Sequence, residues 1–145
     1  MLKIIFYLCF LMLIISCSSE EHINPFSSDG CSLFPNSSLI SEEDWCECCF
    51  LHDVSYWRGG TEQERLAADL QLKQCVFQAT NDQVLADIMF RGVRFGGSPY
   101  FYNWYRWGYG WSYERKYSSL SEDENKQAEL QLAKYYASVH EPKCK

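Results

Sequence analysis

Apolar and polar positions divide the chain into an apolar N-terminal stretch, a short polar stretch and a longer region bounded by helix-capping and helix-breaking residues. Thr61 with Glu64, and Ser121 with Glu124, have the spacing of capping boxes, which begin helices. A glycine pair at residues 96–97 is typical of a helix end. The predicted fold class is therefore mostly α. The predicted helices cover residues 41–56, 61–77, 82–95 and 121–139.

The other two helix starts rest on weaker capping signals. Ser41 with Asp44 resembles an N-cap and its partner, and Asn81 can cap the third helix. Only residues 57–60 separate the first two predicted helices, and two of them are glycines. A connection this short favours an antiparallel helical hairpin.

Residues 100–113, the aromatic segment, carry nine aromatic side chains among fourteen positions. From residue 105 onward the rings alternate with other residues, and a period of two indicates an extended or irregular segment. The rings could cover the helical core. They could also form an interfacial belt or an acyl groove, because Trp and Tyr favour the depth of lipid headgroups. The sequence leaves both interpretations open.

The N-terminal stretch predicts export from the cytoplasm. Residues 1–17 carry one charge, at Lys3, and their apolar run is too short for a stable membrane span, so they have the layout of a signal peptide. The end of this stretch resembles the lipobox of bacterial lipoproteins, in which the cysteine is lipidated. We predict lipidation at Cys17; the alternative is an ordinary signal peptide cleaved nearby. The expected location is extracytoplasmic and membrane-anchored, at an outer membrane or the cell surface.

Composition suits one globular domain. The chain has 145 residues, of which 47% are hydrophobic and 22% charged, so it is not a disordered protein. A formal net charge of −6 argues against a nucleic-acid partner, because phosphate contacts need a basic face. The domain is predicted at residues 29–145, behind a polar tether at residues 18–28.

Six cysteines remain besides Cys9 and Cys17, and an even number in an oxidising compartment favours three disulfides. They are Cys31, Cys46, Cys48, Cys49, Cys75 and Cys144. A zinc site is the alternative, because Cys46-x-Cys48-Cys49 with His52 has suitable ligand types. Its spacing is poor, since adjacent cysteines rarely bind one tetrahedral metal.

The first two helices bring candidate catalytic groups together. Cys48 and His52 are four residues apart and share one helix face. If Cys48 is bonded to Cys75 in the next helix, His52 and Asp69 come level and within hydrogen-bonding reach. A carboxylate on one imidazole nitrogen fixes the tautomer and leaves the other nitrogen free to act as a base.

A second pair of residues points to a metal. Cys49 and Asp53 are also four apart, on a face turned about 100° from the first pair. If Cys49 is bonded to Cys31, the loop at residues 29–38 lies beside Asp53. A carboxylate with backbone carbonyls is an all-oxygen site, which suits calcium.

These residues resemble a known family, the secreted phospholipases A2. Residues 48–56, CCFLHDVSY, match the family's C-C-x-x-H-D-x-C-Y motif at all but one defined position. Asp69 with Cys75 resembles the family's D-x-x-x-x-x-C on the following helix, and residues 29–32 resemble its cysteine-containing calcium loop. The resemblance covers residues 29–76.

The resemblance implies calcium-dependent hydrolysis of a glycerophospholipid ester, by family analogy at the sn-2 position. His52 would be the base that activates water, Asp69 would orient it, and Tyr56 would hydrogen-bond to Asp69. The expected calcium ligands are Asp53 and the backbone carbonyls of Gly30, Ser32 and Phe34. The expected disulfides are Cys31–Cys49, Cys48–Cys75 and, by elimination, Cys46–Cys144.

The sequence departs from the family pattern in two places. Ser55 stands where the family often has a cysteine, and Ala68 stands at that cysteine's usual partner, so both halves are missing together. Residues 33–35 replace the glycines that follow the loop cysteine. A non-catalytic calcium- or lipid-binding module on the same scaffold is therefore the alternative function. In either case we expect a monomer that acts at a phospholipid membrane.

Overall fold

The computed structural model describes residues 21–38, 43–139 and 144. The predicted signal peptide and the predicted lipidation site, Cys17, lie outside these residues. The described chain is mostly helical and contains no β-strand, although an isolated bridge joins Ser37 and Asp44. Its helices are α1 (Cys46–Arg58), α2 (Glu62–Thr80), α3 (Gln83–Gly96) and α4 (Glu122–Ser138), and a 3₁₀ turn spans Tyr113–Arg115.

Both predicted capping boxes are present. Thr61 caps α2 and Ser121 caps α4, each with its partner glutamate bonding back to the cap. The predicted start of α1 is wrong, because residues 43–45 are not helical and the helix begins at Cys46. The Asp44 carboxylate accepts from the Cys46 amide (2.7 Å), and the Trp45 amide donates to a loop carbonyl. Predicted Ser41 itself lies outside the described residues.

The predicted role of Asn81 is also wrong. Asn81 ends α2 in a left-handed conformation (φ 52°), which asparagine tolerates better than most residues. The N-cap of α3 is the next residue, Asp82, whose carboxylate accepts from two amides of the first turn. As a result α2 extends three residues beyond its predicted end.

The structure pairs the cysteines as predicted. The disulfides are Cys31–Cys49, Cys48–Cys75 and Cys46–Cys144, the last closing a separation of 98 residues. Cross-links of this number are compatible with an extracytoplasmic protein. Among the described helices, none combines the length and the apolar composition that a membrane crossing requires.

Two buried clusters form most of the core. One lies among α1, α2 and α3 and includes Leu72 and Val76. The other joins α1 and α4 to the N-terminal residues, with Ile23 and Phe26 at 4% and 5% exposure. Residues 21–28, expected to be part of a tether, are therefore packed against the domain.

The aromatic segment is a succession of turns, so the irregular conformation, one of the two predicted, is confirmed and the extended one is wrong. Trp107 and Trp111 are buried, and their indole N–H groups donate to the carbonyls of Gly60 and Arg58 at the end of α1. These two rings cover the helical core, as one interpretation predicted. Other rings of the segment are exposed: Tyr100, Phe101, Tyr102 and Trp104.

Candidate functional site

A buried histidine–aspartate pair joins α1 to α2. His52 Nε2 lies 2.8 Å from Asp69 Oδ1, and the two residues are 8% and 0% exposed. The Cys48–Cys75 disulfide lies one helical turn before His52, so it fixes the distance between the two helices close to this pair. The predicted juxtaposition of His52 and Asp69 is present.

Three further side chains surround the Asp69 carboxylate. The Tyr56 hydroxyl donates to Oδ1 (2.8 Å), as predicted, and Arg94 Nη1 donates to Oδ2 (2.7 Å). Arg65 lies one turn before Asp69 on α2, with its Nε 3.8 Å from Oδ2, and donates to the Tyr56 hydroxyl. The sequence analysis missed both arginines. The i,i+4 spacing of Arg65 could have revealed the first, whereas Arg94 comes from α3 and had no local signal.

The donors around Asp69 decide its charge. Burial raises the pKa of Asp69, but hydrogen bonds from His52, Arg94 and Tyr56 outweigh burial and lower it overall. The carboxylate is therefore ionised at neutral pH. Burial, together with the negative charge of Asp69, raises the pKa of Tyr56, so this phenol stays protonated and keeps donating. An anionic Asp69 bound to Nε2 selects the tautomer in which Nδ1 carries the lone pair.

His52 and Asp53 both line a cavity of about 280 Å³. Its remaining wall is largely apolar and comes from the loop, α2 and α3; it includes Phe34, Leu72, Ile88, Met89 and Val93. A concave apolar site with a few convergent polar groups is the usual form of a small-molecule site. The imidazole and the Asp53 carboxylate are those polar groups.

The predicted metal-ligating residues meet at this cavity. Asp53 and the loop residues Gly30, Ser32 and Phe34 all line it, and the Cys31–Cys49 disulfide joins the loop to α1. Gly30 has φ +84°, a conformation that favours glycine. No described residue donates a hydrogen bond to the carbonyls of these three loop residues, whereas the Cys31 carbonyl accepts from the Phe34 amide.

The donor types fit calcium. One carboxylate beside backbone carbonyls is a hard, all-oxygen set. No group of three or more His, Cys, Asp or Glu side chains suited to a metal occurs among the described residues, so the predicted alternative of a Cys–His zinc site finds no support there. Those cysteines are in disulfides instead.

The sequence analysis missed two neighbours of Asp53. The Ser28 hydroxyl donates to Asp53 Oδ2 (2.6 Å), and the Tyr109 hydroxyl lies 3.2 Å from the Asp53 backbone carbonyl. Ser28 belongs to the expected tether, and Tyr109 belongs to the aromatic segment. Both contact α1 through tertiary packing, which a local sequence pattern does not predict.

Comparisons with family models, with curated proteins and with solved structures find no match for this chain. The class of site therefore follows from its geometry. A buried, carboxylate-oriented imidazole at the wall of an apolar cavity has the geometry that general-base chemistry requires.

Proposed function

We propose that this protein is a calcium-dependent hydrolase of glycerophospholipid esters, similar to the secreted phospholipases A2. The observation that carries the proposal is that His52, hydrogen-bonded to the buried Asp69, and Asp53 line one apolar cavity. A binding module has no need of an oriented base. The sn-2 position is proposed from the resemblance alone.

In the proposed reaction, His52 Nδ1 accepts a proton from water while the water oxygen attacks the ester carbonyl. The ionised Asp69 stabilises the imidazolium that forms, because it already accepts from Nε2. When the ester C–O bond breaks, His52 returns the proton to the leaving alcohol. Calcium, held by Asp53 and the carbonyls of Gly30, Ser32 and Phe34, would polarise the carbonyl and stabilise the oxyanion.

Shape and surface support a lipid substrate. The apolar wall of the cavity suits an acyl chain, and Phe95 and Trp104 are 78% and 67% exposed. Each is next in sequence to a residue that lines the cavity, Gly96 and Tyr105 respectively. Exposed aromatic rings next to residues that line the cavity suit headgroup depth in a bilayer. We therefore propose a phospholipid membrane as the partner and an antiparallel α1–α2 hairpin with a calcium loop as the catalytic scaffold.

Calcium-dependent release of fatty acid from phospholipid vesicles tests the proposal. The wild-type chain should release fatty acid with calcium and not with a chelator. Asp53→Ala should lose calcium binding by calorimetry and fatty-acid release together, with unchanged helical content. Glu47→Gln, a change at an exposed acid on the same helix, is the matched control and should behave as wild type.

The alternative module predicts a different result. In the loop where the family it resembles has glycines, Leu33 takes φ 55°, a conformation that is uncommon for residues other than glycine. Wild-type protein that binds calcium and vesicles but releases no fatty acid would establish the binding module and refute the hydrolase.

A further inference from the structure

Asp53 also lines a second cavity, of about 330 Å³. Ser32, Asp53 and Tyr105 line both cavities, so the two share a wall. The second cavity adds Trp104 and Tyr109 from the aromatic segment and three residues from the N-terminal side, among them Asp29. The proposed reaction uses neither Asp29 nor the rings of Trp104, Tyr105 and Tyr109.

The lining of the second cavity combines aromatic rings with carboxylates. The Trp104 and Tyr105 rings are perpendicular, with centroids 5.2 Å apart and an interplanar angle of 88°. The Tyr109 hydroxyl donates to the Ser27 carbonyl (2.7 Å), which holds the third ring against the same cavity. No lysine or arginine is among the described residues that line it.

Aromatic rings together with carboxylates favour a positively charged ligand. Aromatic faces attract cations, and they suit quaternary ammonium groups, which carry positive charge without hydrogen-bond donors. Asp29 adds negative charge at the cavity wall, and its Oδ1 accepts from the Ser32 hydroxyl (2.7 Å). With Asp53 assigned to calcium, Asp29 is the carboxylate left for an ammonium group, and an anionic headgroup would find no lysine or arginine among the described lining residues.

We propose that the second cavity binds the trimethylammonium group of a choline headgroup. The assignment of the headgroup to a substrate rests on the proposed function; the preference for a quaternary ammonium group rests on the lining alone. With an acyl chain in the first cavity, the shared wall at Ser32 and Asp53 lies between the chain and the headgroup. A glycerophospholipid has its phosphate between those two parts.

Binding of soluble probes tests the cavity without hydrolysis. We expect the full chain to bind phosphocholine and tetramethylammonium, and their methyl proton resonances to shift upfield because the methyl groups lie over aromatic faces. Glycerol 3-phosphate should bind at least tenfold more weakly than phosphocholine. Trp104→Leu should weaken phosphocholine binding by about tenfold, in line with one lost cation–π contact. Asp29→Asn should weaken it by a smaller factor.

The matched control is Tyr102→Leu, because Tyr102 is an exposed ring of the same segment that does not line the cavity. Its phosphocholine affinity should equal that of wild type. Absence of an upfield shift, or equal losses from Trp104→Leu and Tyr102→Leu, would overturn the proposal.

Vesicles separate this inference from the proposed function. Fatty-acid release should be faster from phosphatidylcholine than from phosphatidylglycerol, and Trp104→Leu should reduce the difference. If no vesicle is hydrolysed while phosphocholine still binds through Trp104, the hydrolase fails and the ammonium site stands. If both lipids are hydrolysed at one rate and no probe shift is seen, the hydrolase stands and the ammonium site fails.

Discussion

The α1–α2 pair and the aromatic segment each bury a charged side chain, but in opposite roles. On α2, the buried carboxylate of Asp69 accepts hydrogen bonds from other side chains. In the aromatic segment, the guanidinium of Arg106 is 7% exposed and donates to the backbone carbonyls of Trp107, Gly108 and Trp111. One charge is surrounded by side chains, and the other by main chain.

The difference follows from backbone hydrogen bonding. A helix satisfies its own amides and carbonyls, so the side chains between two helices are available for chemistry. A segment made of turns leaves carbonyls unpaired, and buried carbonyls need donors. Arg106 supplies those donors inside the segment. His52 and Asp69, which bond to each other between the two helices, are therefore candidates for catalysis. Arg106, whose partners are main-chain carbonyls, is structural.

The largest expected effect is on fatty-acid release, and it concerns His52. His52→Gln should reduce fatty-acid release by about 10²–10⁴-fold, the usual contribution of a general base, because glutamine cannot take a proton from water. Calcium affinity and the unfolding transition should change little. Asp69→Asn should lose less activity, since it disturbs the imidazole without removing it. Release at the wild-type rate from His52→Gln would exclude His52 as the base, whatever the fold.

A smaller effect is expected at Arg106, and on stability. Arg106→Met keeps an unbranched side chain but removes donors from three buried carbonyls, at about 1–3 kcal/mol for each group left unsatisfied. Allowing for relaxation, we expect a loss of about 3 kcal/mol in the free energy of unfolding, measured by urea titration. Arg91→Met, at an exposed arginine, should change it by less than about 0.5 kcal/mol. Equal transitions for both variants would show that the Arg106 hydrogen bonds are not structural.

The same contrast explains how much of the site the sequence could predict. Helical spacing alone places His52 one turn from Cys48, and a cross-link to Cys75 then brings Asp69 level with it. Arg94 could not be predicted this way, because the packing of α3 against α2 is tertiary. Ser28 was missed for a similar reason, since residues 18–28 are mostly polar and such a stretch is typical of a linker.

Local pattern misled the prediction most in the aromatic segment. Alternating rings suggested an extended chain, but Gly108 has φ +71° and packs against the backbone of Gly59, so the chain turns there. What fixes the turn is contact with the end of α1, where the Gly108 amide donates to the Tyr56 carbonyl. An alternation of aromatic residues along the sequence does not predict contacts between residues about fifty positions apart.

The smallest expected effect concerns acid stability at Asp69. The lowered pKa of Asp69 means that its contribution to stability is present above the ordinary carboxyl pKa of about 4 and is lost as the pH falls through the lower, folded value. Asp69→Asn should therefore be less stable than wild type at pH 7, and the two free energies of unfolding should converge towards pH 2. Asp87→Asn changes a carboxylate that is 40% exposed and paired with Lys73. Its free energy of unfolding should converge with that of wild type by less.

The pH dependence of stability should differ for Arg106→Met. Its guanidinium stays protonated throughout the acid range, so Arg106→Met should remain less stable than wild type by the same amount at pH 7 and pH 3. The difference in free energy of unfolding from wild type should close in acid for Asp69→Asn and stay constant for Arg106→Met. That result would assign the pH-dependent part of the protein's stability to the α1–α2 pair. Parallel curves for Asp69→Asn and wild type would instead mean that the donors around Asp69 do not hold it ionised in the folded chain.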